Sequence, residues 1–80
     1  MKFRPLDSVA LKQDHDEYGL RTGNLGAVVE VYEPNGLEVE FVSASGRTEA
    51  LVTLSEDDVR TVGDHDLISV RPFSKQTASL

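Results

Sequence analysis

The chain has 80 residues, 14 of them acidic and 8 basic, for a net charge of −6, and it contains no cysteine. A single domain of this length buries only about 60–65% of its unfolded surface, so its core is modest. The missing thiols exclude disulfides, a thiolate nucleophile and cysteine-ligated zinc, and the acidic balance opposes non-specific attraction to phosphate backbones and anionic lipids.

No apolar run approaches the roughly 18 residues of a membrane span. The segment Met1-Lys2-Phe3-Arg4-Pro5 has no apolar stretch behind it of the kind a signal peptide needs. A cytoplasmic location is therefore expected. The basic residues Lys2, Arg4, Lys12, Arg21, Arg47, Arg60, Arg71 and Lys75 are scattered and form no run that would mark a nucleic-acid footprint.

Along the chain, Leu6–Leu11 reads as a first strand with Val9 and Leu11 on one face. Residues 13–23 are polar and turn-rich and read as a long loop. Asn24–Glu33 is a second strand, with Gly26 near its start permitting a sharp bend. Alternation places Val29 and Val31 on its inner face, and Val28, Glu30 and Tyr32 on the other. Pro34-Asn35-Gly36 predicts a turn in which proline presets φ and Asn-Gly tolerates positive φ. Strand three, Leu37–Val42, has the clearest period of two: Leu37, Val39 and Phe41 face one way, Glu38 and Glu40 the other. Ser43–Gly46 is the next turn. Strand four, Thr48–Leu54, turns Ala50, Val52 and Leu54 inward. Ser55 followed three residues later by Asp58 resembles a capping box and predicts one 3₁₀ turn. Val59–Val62 is a short fifth strand. Leu67–Val70 reads as a sixth, edge strand, held against this copy or a second one, and residues 73–80 have the composition of a tail.

The chemistry-bearing groups are few. Asp-His-Asp occurs twice, at residues 14–16 and 64–66. In an antiparallel arrangement of strands one and five, the two triplets lie about 20 Å apart at about 3.3 Å per residue. The plain account of both is a solvated acidic loop. Ser8, Ser43, Ser45 and Ser55 stand in no nucleophile-elbow context. Gly19, Gly23 and Gly26 precede a strand rather than the helix that a phosphate loop requires. No catalytic, metal or cofactor-binding residue is assigned. What remains is apolar side chains out of phase with the core or outside it: Tyr18, Tyr32, Val42, Leu51, Leu67, Ile68 and Val70. Exposed together, such residues mark a protein interface; the alternative is packing of both faces of bent strands in so small a barrel, or ordinary isolated exposure.

Several short motifs recur in a known arrangement. They are Asp7/Val9/Leu11, then Gly19-Leu20/Gly23/Gly26/Val28-Val29, then Val39-Glu40-Phe41, then Val52-Thr53-Leu54/Asp58-Val59-Arg60. On these, residues 6–62 resemble a bacterial family of small proteins described as a domain of unknown function. More distantly, the glycine-hairpin segment resembles the KOW element of ribosomal and transcription proteins. The resemblance brings no catalytic or ligand residue.

The expected fold is all-β, a five-stranded SH3-like barrel over residues 1–62 with a C-terminal extension over 63–80. The expected function is a non-enzymatic binding module without cofactors. Its partner is another protein, a second copy included, as in an accessory or immunity-type role. A KOW-like nucleic-acid module is the alternative, although a basic stripe is missing. A third reading is a metal or enzyme site joined across a dimer through His15 and His65.

Overall fold

A computed structural model describes residues 2–74. Five strands form one antiparallel sheet: β1 (Ser8–Leu11), β2 (Leu25–Tyr32), β3 (Gly36–Val42), β4 (Thr48–Ser55) and β5 (Val59–Thr61), in the order β4-β3-β2-β1-β5. Two three-residue 3₁₀ turns, Asp16–Tyr18 and Glu56–Asp58, are the helical elements among the described residues. None is long and apolar enough to cross a membrane. The sheet is open, with β4 and β5 as its two edges.

β2 has two partners. Leu25, Gly26 and Ala27 pair with β1, and from Ala27 onward the strand pairs with β3. Gly26 sits at this hand-over, and its glycine identity follows from space. A Cβ there would lie 2.7 Å from Val39 Cγ1 and 2.8 Å from Phe41 Cε1. The close approach of β3 is what requires glycine, not a positive φ.

One face of the sheet closes over Phe3, Val9, Leu11, Leu20, Val28, Leu37, Val39, Phe41, Val52, Leu54 and Val59. The inward set of β3 is the one its alternation predicts. The inward set of β2 is not. Val28 is buried and Val29 exposed, because the β2–β3 register shifts between Val28 and Glu30. A bulge inserts one residue and resets the alternation, so Val28 and Val31, not Val29 and Val31, face the core. Phe3 and Leu20 are core residues that lie, by strand pattern, before the first strand and in a polar loop.

Two local expectations change and a third holds. Leu6 is outside β1. Arg4 O accepts from Asp7 N–H at 3.1 Å, with Pro5 and Leu6 at the turn's centre and Leu6 at φ 79°. Those are the positions and the φ of a type II turn. The β2–β3 turn carries a cis Glu33–Pro34 peptide, and neither Asn35 nor Gly36 takes a positive φ. The capping box at Ser55 is present in full: Ser55 Oγ accepts from Asp57 N–H at 3.1 Å, and Asp58 Oδ2 accepts from Ser55 N–H at 2.9 Å.

No strand forms over residues 67–70. Phe73 is no part of a free tail, because it packs against the core. Residues 75–80, the rest of the expected tail, lie outside the described residues.

Candidate functional site

Residues 63–73 cross the sheet as a strap fastened at both ends. At its start, Gly63 N–H donates to Asp66 Oδ2 at 2.6 Å. Arg60 grips the same carboxylate with two hydrogen bonds of 2.9 Å each. Two parallel bonds of this kind fix direction as well as distance. The Arg60 guanidinium, and after it the Gly63 N–H, hold the Asp66 carboxyl down to about 2. At its far end, Arg71 Nη2 donates to Gly19 O at 2.8 Å and to Asn24 Oδ1 at 2.6 Å. Phe73 follows and packs on the core.

Between these fastenings the strap turns apolar side chains to solvent. Leu67 and Val70 are each 94% exposed and Ile68 is 67% exposed. A strand would have paired the backbone of residues 67–70. Instead the two clamps hold it beside the β2 start, and its apolar side chains do not fold inward. Beside it runs an open groove of about 400 Å³. Buried Leu20 and Phe41 contribute to its lining, Leu25 and Val42 come from the sheet, and Ile68, Val70 and Phe73 come from the strap. A second, smaller cleft of about 60 Å³ lies between Ala10, Arg60, Leu67 and Ile68.

All seven apolar residues singled out from the sequence are exposed, but they do not form one surface. Val42, Ile68 and Val70 line the groove, and Leu67 lines the small cleft. Tyr18 sits in the first 3₁₀ turn and lines neither. Tyr32 and Leu51 lie on the outward face of β2–β4. Strand pattern missed Leu25 and Phe73, which complete the groove. Leu25 falls next to the hand-over at Gly26, and Phe73 lies beyond any periodic segment.

The outward face of β2–β4 is acidic. β1 to β4 contain no lysine or arginine. Glu30 stands directly opposite Glu38, a pairing that like charges disfavour. Hydroxyls rather than cations meet these carboxylates. Thr53 donates to Glu38 at 2.8 Å, Tyr32 donates to Glu38 at 3.5 Å, and Thr48 donates to Glu40. Partial burial and the fields of Glu38 and Glu30 raise the Tyr32 phenol above its ordinary value.

The first Asp-His-Asp triplet builds a loop. Asp14 accepts from Thr22 N–H at 2.8 Å and Thr22 Oγ1 at 3.0 Å, which holds its carboxyl below the usual range. Arg21 reaches Asp14 at 3.5 Å and Asp16 at 3.1 Å. His15 Nε2 has no hydrogen-bond partner. In the second triplet Asp66 belongs to Arg60, and Asp64 and His65 are exposed. Among the described residues no three His, Asp or Glu side chains are grouped so as to hold a metal ion.

No curated protein and no solved structure matches the chain. One family does, over residues 6–61, a span that takes in all five strands and stops short of the strap. The chain therefore belongs to the family described as a domain of unknown function, DUF4926.

Proposed function

We propose that the chain is a non-enzymatic module that binds another protein through the groove beside the strap. The observation that carries this reading is the groove itself, with Leu25, Val42, Ile68 and Val70 exposed around a concavity of about 400 Å³. Apolar side chains held outward by two clamps lose little freedom on binding, so the surface is pre-organised for a partner. A partner with an apolar anchor ringed by basic side chains suits the net charge of −6. An accessory or immunity-type role in the cytoplasm fits this reading, because a small acidic protein of that kind acts by covering a site on a larger one.

The strand order, and the passage of β2 from β1 to β3, support reading the open sheet as the wrapped sheet of an SH3-like barrel. That reading keeps the KOW-like comparison in view. The lysine-free and arginine-free strands β1 to β4, with Glu30, Glu38, Glu40 and Glu49 among them, weigh against a nucleic-acid partner.

Paired capture from host extract tests the proposal, with the wild-type chain and a Val42→Glu/Ile68→Glu variant as baits. Both positions are exposed, so the variant should keep its melting temperature. A specific partner should bind the wild type and lose more than about tenfold in affinity to the variant. A partner held equally by both baits would move the contact off the groove. No enriched protein on either bait would remove the binding-module reading.

A further inference from the structure

The two edges of the sheet are not alike. β5 is three residues long and carries Arg60, which is tied to Asp66. A short, charged edge discourages pairing with another chain. β4 runs for eight residues, Thr48–Ser55, without proline or lysine, and its single charge is Glu49. β3 lies along one side of it and no strand lies along the other. Among the described residues, no loop or side chain hydrogen-bonds to the outward main-chain groups of residues 48–54. In an antiparallel ladder every second residue turns its N–H and C=O to one side, so β4 leaves about four residues with main-chain groups facing solvent. Natural sheets seldom leave so long an edge with a single charge and neither a proline nor a cover.

We propose that β4 pairs antiparallel with β4 of a second copy, about a two-fold axis at Leu51, so that two five-stranded sheets become one continuous sheet. Charge and exposure together select this register. In an antiparallel pair, residues directly opposite each other share a face, so the axis falls on a residue. An axis at Glu49 sets Glu49 against itself, and an axis at Thr53 carries Glu49 past the end of the strand toward the acidic 3₁₀ turn Glu56–Asp58. Like charges directly opposite are destabilising. With the axis at Leu51, Glu49 lies opposite Thr53, Ala50 opposite Val52, and Leu51 opposite its symmetry mate. Leu51 is 55% exposed in the single copy. Of the registers free of opposed carboxylates, this one sets the two exposed leucines against each other. The edge meets the groove at Glu49, which lines both, and the two surfaces are told apart by Leu51 on the one and Ile68 on the other.

Sedimentation of the full chain should show a mass that rises with concentration from 8.8 kDa toward twice that value. Leu51→Lys places two cations face to face on the axis and should hold the mass at one chain, with a melting temperature equal to that of the wild type diluted to monomer. Ile68→Glu, in the groove, should leave the dimer intact. Register is read independently of stability, because the native chain has no cysteine. Under mild oxidation Leu51→Cys should form a disulfide-linked dimer, since directly opposite Cα atoms lie within the reach of a disulfide. Thr53→Cys, displaced from its mate, should not. A monomer at every concentration overturns the proposal. So does a dimer that survives Leu51→Lys, a dimer lost only in Ile68→Glu, or equal cross-linking at both cysteine positions.

Discussion

Leu6 holds a φ of 79° although it is neither glycine nor asparagine, and its side chain is almost wholly in solvent. The left-handed region costs an L-residue about 1–2 kcal/mol, and the exposed side chain returns little burial. Leu6→Gly should therefore raise stability by about 0.5–1 kcal/mol after the entropic cost of glycine, read as a higher urea midpoint at unchanged slope. Gly26 is the opposite case. A methyl group there meets Val39, Phe41 and the Glu40 carbonyl at 2.7, 2.8 and 3.1 Å. Gly26→Ala should cost about 1–3 kcal/mol by overpacking, and an unchanged midpoint would remove the close-approach argument. Phe41 joins the core to the groove. Phe41→Ala should cost about 3–5 kcal/mol, a large part of what a domain this small possesses, and should show as a collapsed thermal transition.

At the scale of elements, the strap depends on two arginines from different places. Arg60 belongs to β5, and Arg71 belongs to the strap and reaches back to Gly19 and Asn24. Because Asp66 titrates near 2 in the folded chain and near 3.9 when unfolded, its contribution is complete above about pH 4. It disappears as pH falls through about 2. The gap in urea midpoint between wild type and Asp66→Asn should be constant from neutral pH to about 4 and close between about 4 and 2. A gap that persists at pH 2 would show that the clamp acts through packing rather than charge.

At the scale of the whole molecule, charge separates the competing functions. Among the described residues the basic side chains sit in the N-terminal segment, the loops, β5 and the strap, whereas the exposed face of β2–β4 is acidic. At physiological salt, binding to any DNA or RNA should be no tighter than the roughly 10⁻⁴–10⁻⁶ M of generic electrostatic association. Fluorescence anisotropy with single- and double-stranded probes measures this, and nanomolar binding would put the nucleic-acid reading ahead of the protein-binding one.

Features that depend on neighbouring residues alone were open to sequence reasoning. Leu37, Val39 and Phe41 face the core because the pleat alternates every residue, and Ser55 caps its turn because the acceptor and Asp58 are three positions apart. The family membership is local in the same sense, carried by short motifs between Asp7 and Arg60. Alternation put Tyr32, Val42 and Leu51 out of phase with the core, and only the structure showed that they, with Leu67, Ile68 and Val70, are exposed. Tertiary structure decided the rest, because each remaining choice depends on a segment distant in the chain. The bulge that exposes Val29 is set by the fit of β2 against β3. Phe3 and Leu20 are buried because the open sheet has space that no strand fills. Leu67–Val70 becomes a strap rather than an edge strand because Arg60 and Arg71 clamp it at both ends. Two of these clamping contacts, from Arg71 to Gly19 and Asn24, span 52 and 47 residues, a separation that no local pattern encodes.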